Sequence, residues 1–273
     1  MTNIVNYGGN QGTNDVNDAD SKFSPFIWKD CPLREIRDGT TEGWLDEDDF
    51  MSFVPVPAGS VATAGGYYGF ADTGGTVVVG DEVGGSVVLS SDGDNEGASI
   101  ARQTKCFQIS RSHGKLWFEA RVKSSTITDT KHGFFLGLID TCTQSATVPI
   151  AAAGTLADEN FVGFHRLEGD GDQVDAVYRA DGVTQVTVEA DTLDVALVAD
   201  TYTKLGMIYN PADYVLTFYQ NGVKTTSYTV VAAAGTDFPN DVRLGFVFAV
   251  LNATGTTPGS SSIDKFRIAQ LAV

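Results

Sequence analysis

The stretch from Thr203 to Thr229 constrains this chain more than any other part of it. It holds three β-branched and aromatic runs, Thr203 to Tyr209, Tyr214 to Gln220 and Val223 to Thr229, parted by Asn210-Pro211-Ala212-Asp213 and by Asn221-Gly222. Asn then Pro suits the first two positions of a β-turn, and Asn-Gly supplies the two positive-φ residues of a type I′ hairpin. Three antiparallel strands in a meander are predicted, which points to a sandwich or barrel and away from a parallel α/β sheet.

The rest of the chain after Pro55 and Pro57 reads the same way. Thr76 to Val79 and Ser86 to Ser90 are β-branched runs set between glycines. Lys115 to Lys123 alternates, with Leu116, Phe118, Ala120 and Val122 on one face and Glu119, Arg121 and Lys123 on the other, facing water. Gly133 to Ile139 is apolar on both faces and belongs at the centre of a sheet. Phe161 to His165, Val174 to Tyr178, Val183 to Glu189, Val242 to Val250 and Ile263 to Leu271 continue the series, the last with Phe266 and Ile268 inward and Lys265 and Arg267 outward. The Ala-rich stretches at Ala151–Ala153 and Ala232–Ala234 meet glycine too soon to form more than a turn. Sixteen Phe and nine Tyr can fill a large core. The expected fold is all-β: an antiparallel β-sandwich over residues 54–273, preceded by an extended N-terminal arm over residues 1–53.

Residues 1 to about 22 are rich in Asn, Asp, Gly and Gln and have too little apolar content to fold alone. From Phe23 to Phe53 large apolar residues stand among charges without clean periodicity, so this segment must pack on its own sandwich or on a neighbouring subunit. Trp28, Trp44 and Phe50 are the candidate interface anchors, because buried aromatics dominate interface energetics.

The formal charge of −17, from 35 acidic and 18 basic residues, repels phosphate backbones and anionic lipid, so neither nucleic acid nor a membrane is an expected partner. With no basic-then-apolar leader near Met1 and no long apolar run, the chain is expected to be made in a cytoplasm and to stay soluble. Cys31, Cys106 and Cys142 fit neither a disulfide framework nor a paired metal motif and read as small hydrophobes.

Chemistry is sparse. No G-x-S-x-G elbow, P-loop or H-E-x-x-H occurs. His113 and His132 sit in turns before strands, where an exposed imidazole is expected. Asp92-Gly93-Asp94-Asn95-Glu96-Gly97 opens like a calcium loop, but its twelfth position is Gln103 in place of the bidentate Glu. It and Asp170-Gly171-Asp172 read as hairpin turns. No catalytic residue, cofactor or metal is expected. For a glycan, Trp117, Tyr178, Tyr209, Tyr219 and Tyr228 are stacking candidates by alternation, although such residues serve more often in cores and strand pairing.

Three segments carry resemblances. GKLWFEARVK from Gly114 is similar to a strand of laminarinase-type glycoside hydrolases, which share a concanavalin-like jelly roll. That family's E-x-D-x-E or E-x-D-x-x-E pair is missing, since Glu119 is followed by Ala120, Arg121, Val122 and Lys123. KLGMIYNPADYVLTFYQNGVKTTSY resembles the back-sheet hairpin of concanavalin-like and laminin-G-like jelly rolls. SPFIWKDCPLREIRDGTTEGWLDEDDF from Ser24 resembles the N-terminal segment of phage virion proteins. The last resemblance implies a capsid decoration or cement protein on the outer surface of a phage head, bound to the major capsid protein and acting as a homo-oligomer, with a trimer favoured. The alternative is a carbohydrate-binding jelly-roll module of a phage tail fibre or adhesin.

Overall fold

The computed structural model describes residues 23–39, 41–128, 132–141, 150, 156–167, 170–189, 196–229, 237–252 and 259–272. The chain opens with two short helices, α1 (Pro25–Trp28) and α2 (Leu33–Asp38), then β1 (Gly43–Asp48), β2 (Ser60–Ala64), β3 (Tyr67–Ala71), β4 (Gly75–Val79) and β5 (Val87–Ser91). There follow β6 (Glu96–Arg102), β7 (Phe107–Gln108), β8 (Leu116–Ser124), β9 (Gly133–Ile139), β10 (Phe161–Arg166), β11 (Asp175–Arg179) and β12 (Val186–Glu189). The last five are β13 (Thr203–Asn210), β14 (Val215–Gln220), β15 (Val223–Thr229), β16 (Arg243–Asn252) and β17 (Gly259–Leu271).

All pairings are antiparallel and make two sheets. An eight-stranded sheet runs β15-β14-β13-β8-β17-β5-β4, with β1 also on β17; a nine-stranded sheet runs β12-β11-β10-β9-β16-β6-β3-β2, with β7 on β16. The predicted meander is β13-β14-β15, and Asn221 (φ 50°) and Gly222 (φ 77°) occupy the left-handed region that a type I′ turn requires. Long β17 organises its sheet: β8 lies along one side, while β5 and then β1 share the other.

The main core lies between the sheets. Phe134, Leu136 and Leu138 of β9 and Phe246 and Phe248 of β16 meet Leu116 and Phe118 of β8 and Phe266 and Ile268 of β17. Phe246 and Phe266 stack with centroids 3.9 Å apart. Burial of each such side chain contributes about 2 kcal/mol, and Phe266 and Ile268 point inward as their alternation predicts. The outer faces are apolar too. On the nine-stranded sheet, Phe135, Phe161, Val177 and Val247 lie under Ile150 and Leu156. On the eight-stranded sheet, Trp117, Ile208 and Ala269 lie under Ile27, Trp28 and Ile36.

That second cover corrects the reading of β8. Glu119 does not face water: it is 1 % exposed. The Ser24 backbone N–H reaches its two oxygens at 3.1 and 2.9 Å, the Ser24 hydroxyl bonds it as well, and Trp28 Nε1 donates at 2.7 Å. Arg267 lies beneath the same cover, its guanidinium 4.0 Å from the Phe23 ring and bonded to Glu47. The helices have no visible period because each is too short to show one; Pro25 at the first turn starts α1.

The described part of the N-terminal segment therefore packs on its own sandwich, one of the two options open from sequence. β1 pairs with β17 from Gly43↔Leu271 to Asp48↔Phe266. Arg102 of β6 bonds Asp46 at 3.0 and 2.7 Å and lies 4.2 Å over the Tyr67 ring, tying β1 to the other sheet. Residues 1–22, Cys142 and both Ala-rich stretches lie outside the described residues.

Candidate functional site

Alternation along β10 places Val162, Phe164 and Arg166 on one face and Phe161, Gly163 and His165 on the other. Arg166, 1 % exposed, donates to the carbonyls of Gly171, His132 and Thr128 and so clamps the β10–β11 connection. Gly171 (φ 59°) makes the turn, and Asp170 Oδ2 accepts the Leu167 N–H at 2.6 Å. Asp170-Gly171-Asp172 is thus a hairpin turn, as expected. Asp92–Gly97 is not one, since it passes from β5 in one sheet to β6 in the other.

The clamp holds a polar corner. His165 pairs in register with Asp175 of β11. Its Nδ1 is 3.5 Å from Asp170 Oδ2, and its Nε2 is 3.8 Å from Asp175 Oδ2 and 3.4 Å from Gln185 Nε2. One ligand atom from each of His165, Asp170 and Asp175 lies within 4.8 Å of the others. His165 is 3 % exposed, and its Nδ1 has no hydrogen-bond partner.

Register extends this corner into a row across the outer face: Val61, Phe70, Ser99, Ala249, Phe135, His165 and Asp175 stand side by side on β2, β3, β6, β16, β9, β10 and β11. The neighbouring row has Gly137 opposite Gly163. A side chain on Gly163 would come within 2.3 Å of the Leu136 carbonyl, so these strands require glycine there. Glycine and alanine thus stand among Phe135, Phe161, Val177 and Val247 on the face beneath Ile150 and Leu156, and His165, Asp175 and Gln185 lie at its β10–β11–β12 end.

The residues singled out from sequence lie elsewhere. Trp117, Tyr178 and Tyr209 are at most 2 % exposed and cannot stack on a sugar; Tyr219 packs against the α1 cluster, and the Tyr228 side chain lies outside the described residues. Trp28 and Phe50 are buried in the chain's own fold at 8 % and 0 %, while Trp44 is 42 % exposed. His132 is not an exposed turn residue but is 1 % exposed, with Ser91 and Ser261 hydroxyls at 3.2 and 2.9 Å from its ring nitrogens; burial pushes its pKa down to about 3. His113 bonds Ser110 beside its strand. Burial raises the Glu119 pKa against the lowering effect of its four hydrogen bonds. It also pushes the free thiols of Cys31 and Cys106 up, to about 12 and about 11, which makes both poor nucleophiles. A separate groove of about 280 Å³, lined by Met51, Phe53, Val54, Tyr67 and Val79 among others, is mainly apolar.

Sequence reasoning missed the His165 corner because its members meet through strand register. The available signal was a histidine ending one strand and an aspartate opening the next across an Asp-Gly-Asp turn.

No family model matches the chain, and no curated protein matches it. Solved structures are similar in fold. A peanut lectin bound to a nine-residue peptide superposes with a TM-score of 0.55 at 14% identity, covering 85% of this chain and 99% of that one. The carbohydrate recognition domain of Emp47p superposes with a TM-score of 0.51 at 15% identity, covering 77% and 90%. The fold is the lectin-type, concanavalin-like jelly roll that the resemblance of the Thr203–Thr229 segment implies. Among the described residues no helix is long and apolar enough to cross a membrane.

Proposed function

We propose that this chain is a carbohydrate-binding jelly-roll module that engages sugar hydroxyls at the β10–β11–β12 corner. The observation that carries this reading is the gathering of imidazole, carboxylate and amide groups at one end of a sheet face otherwise lined with small and apolar residues. A sugar hydroxyl both donates and accepts; Asp175 accepts, and Gln185 does both, within one rigid frame. The lectin-type fold supports the reading, and so does the sealed state of Glu119. The one carboxylate on the glycosidase-like strand lies beneath Ser24 and Trp28, which favours binding over hydrolysis.

The head-accessory reading drew on Trp28, Trp44 and Phe50 as anchors for a neighbour; Trp28 and Phe50 are buried in this chain's own fold, and Trp44 is 42 % exposed. We therefore take the glycan reading as primary, with attachment to a glycan-bearing surface as the module's role. The test is a glycan array probed with the purified full chain. Saturable binding to one glycan class is expected, reduced at least roughly tenfold in Asp175→Asn and Gln185→Ala with the Tm of the chelator-treated chains unchanged, the loss of one or two charged hydrogen bonds. No binding above background, or binding indifferent to both substitutions, would count against the corner.

A further inference from the structure

The geometry points to a divalent transition-metal site at His165, Asp170 and Asp175, and we propose that it binds one ion of the manganese-to-zinc series. The chain supplies its own comparison. Buried His132 has a hydroxyl on each ring nitrogen. Buried His165 instead leaves Nδ1 without a hydrogen-bond partner, an unfavourable state for a desolvated polar atom, with a carboxylate near each ring nitrogen.

The spacings fit an ion better than they fit hydrogen bonds. The orphaned Nδ1 stands 3.5 Å from Asp170 Oδ2, long for an N–H···O bond; the 3.8 Å approach of Asp175 is to Nε2, and a single ion takes only one of the two ring nitrogens. One ligand atom from each residue lies within 4.8 Å of the others, and atoms each about 2.1 Å from a shared ion stand roughly 3.0–3.5 Å apart, so the site closes when the carboxylates turn in toward one ring nitrogen. Its frame is already rigid: Arg166 holds the Gly171 carbonyl, Asp170 caps the Leu167 N–H, and register fixes His165 beside Asp175. The donor set selects the metal class. An imidazole nitrogen with two carboxylate oxygens suits zinc, manganese, cobalt or nickel, whereas calcium and magnesium favour all-oxygen shells.

This inference shares its corner with the proposed glycan site but does not rest on it, because metal binding is read with no glycan present. The test uses the full chain without a histidine tag, stripped with a chelator and titrated calorimetrically with zinc, manganese, calcium or magnesium chloride, with Tm measured in parallel. One zinc or manganese ion per chain is expected, with a higher Tm, and calcium at least roughly tenfold weaker. His165→Gln and Asp175→Asn should each weaken binding by roughly 10–100-fold or more, at least the loss seen when a ligand's supporting partner is removed. Glu96→Gln, on the remote Asp92–Gly97 turn, should not. Bound manganese should show nitrogen coupling in its paramagnetic resonance spectrum, lost in His165→Gln. If His165→Gln does not fold, Asp170→Asn, with a 28% exposed side chain, takes its place. Absence of saturable binding, or binding that survives both ligand substitutions, overturns the site; tighter binding of calcium than of zinc overturns the ion class. Metal bound without any glycan bound leaves this inference standing and removes only the sugar reading.

Discussion

His132 shows how one residue sets a pH limit on this fold. Desolvation, then the nearby Arg166 charge, lowers its pKa from 6.5 to about 3, while in the unfolded chain it titrates near its ordinary value. Between those two values the unfolded state binds more protons than the native state, so stability falls as pH drops from 6.5 toward 3 and is unaffected by this group above that window. Glu119 acts with the opposite sign. Burial raises its pKa in the fold, so the native state holds that proton to higher pH than the unfolded chain does, and its contribution weakens as pH rises. The two are separable by substitution. Going from pH 7 to pH 4.5, the wild type should lose on the order of 2–3 kcal/mol more than His132→Gln, read from urea midpoints at the two pH values. Equal losses in the two proteins would show that His132 is not the group responsible.

Among the elements, the segment from Phe23 to Phe50 owes its position to contacts across the sandwich and little to its own propensity. Glu119→Ala leaves the Ser24 and Trp28 donors buried without their acceptor, which should cost about 3 kcal/mol. α1 should then lift from β8. Trypsin cleavage at Lys29 and Arg34 should quicken several-fold, and Trp28 emission should shift to the red; wild-type cleavage rates in the variant would contradict the anchoring role. These elements were also the hardest to foresee. β8, β9 and β13 to β15 are legible because alternation and turn chemistry are local: Leu116, Phe118 and Ala120 face the core whatever their neighbours do, and Asn221-Gly222 turns the chain by its own conformational preference. Whether Glu119 and Trp117 meet water depends on a helix more than eighty residues earlier in the sequence, and no local period encodes that. The His165 corner was hidden for the same reason. Its residues look like a strand end and a turn, and only the β10–β11 register makes them a cluster.

On the scale of the whole molecule, the chain closes through its final strand. β17 is an inner strand that bonds β8 on one side and β5 and β1 on the other, and the Ala272 N–H donates to the Glu42 carbonyl at 2.9 Å. The two halves of the eight-stranded sheet, β8 with β13 to β15 on one side and β5 with β4 on the other, are joined only through this segment. Contacts between residues so far apart carry the largest loop-closure cost, so folding is expected to be slow, in the millisecond-to-second range of β-sandwiches. Removing residues 259–273 strips Ile263, Phe266 and Ile268 from the core, about 2 kcal/mol each, and leaves β1, β5 and β8 with unpaired edges. Those losses approach the whole stability of a typical domain, about 5–15 kcal/mol. The truncated chain should therefore lack near-ultraviolet dichroism and unfold in urea without a cooperative transition, while the same deletion supplied with a synthetic 259–273 peptide should regain both in proportion to peptide added. A cooperative transition in the truncated chain alone would mean that the two sheets are held by the β9–β16 side of the sandwich, and that β17 docks onto a core already formed.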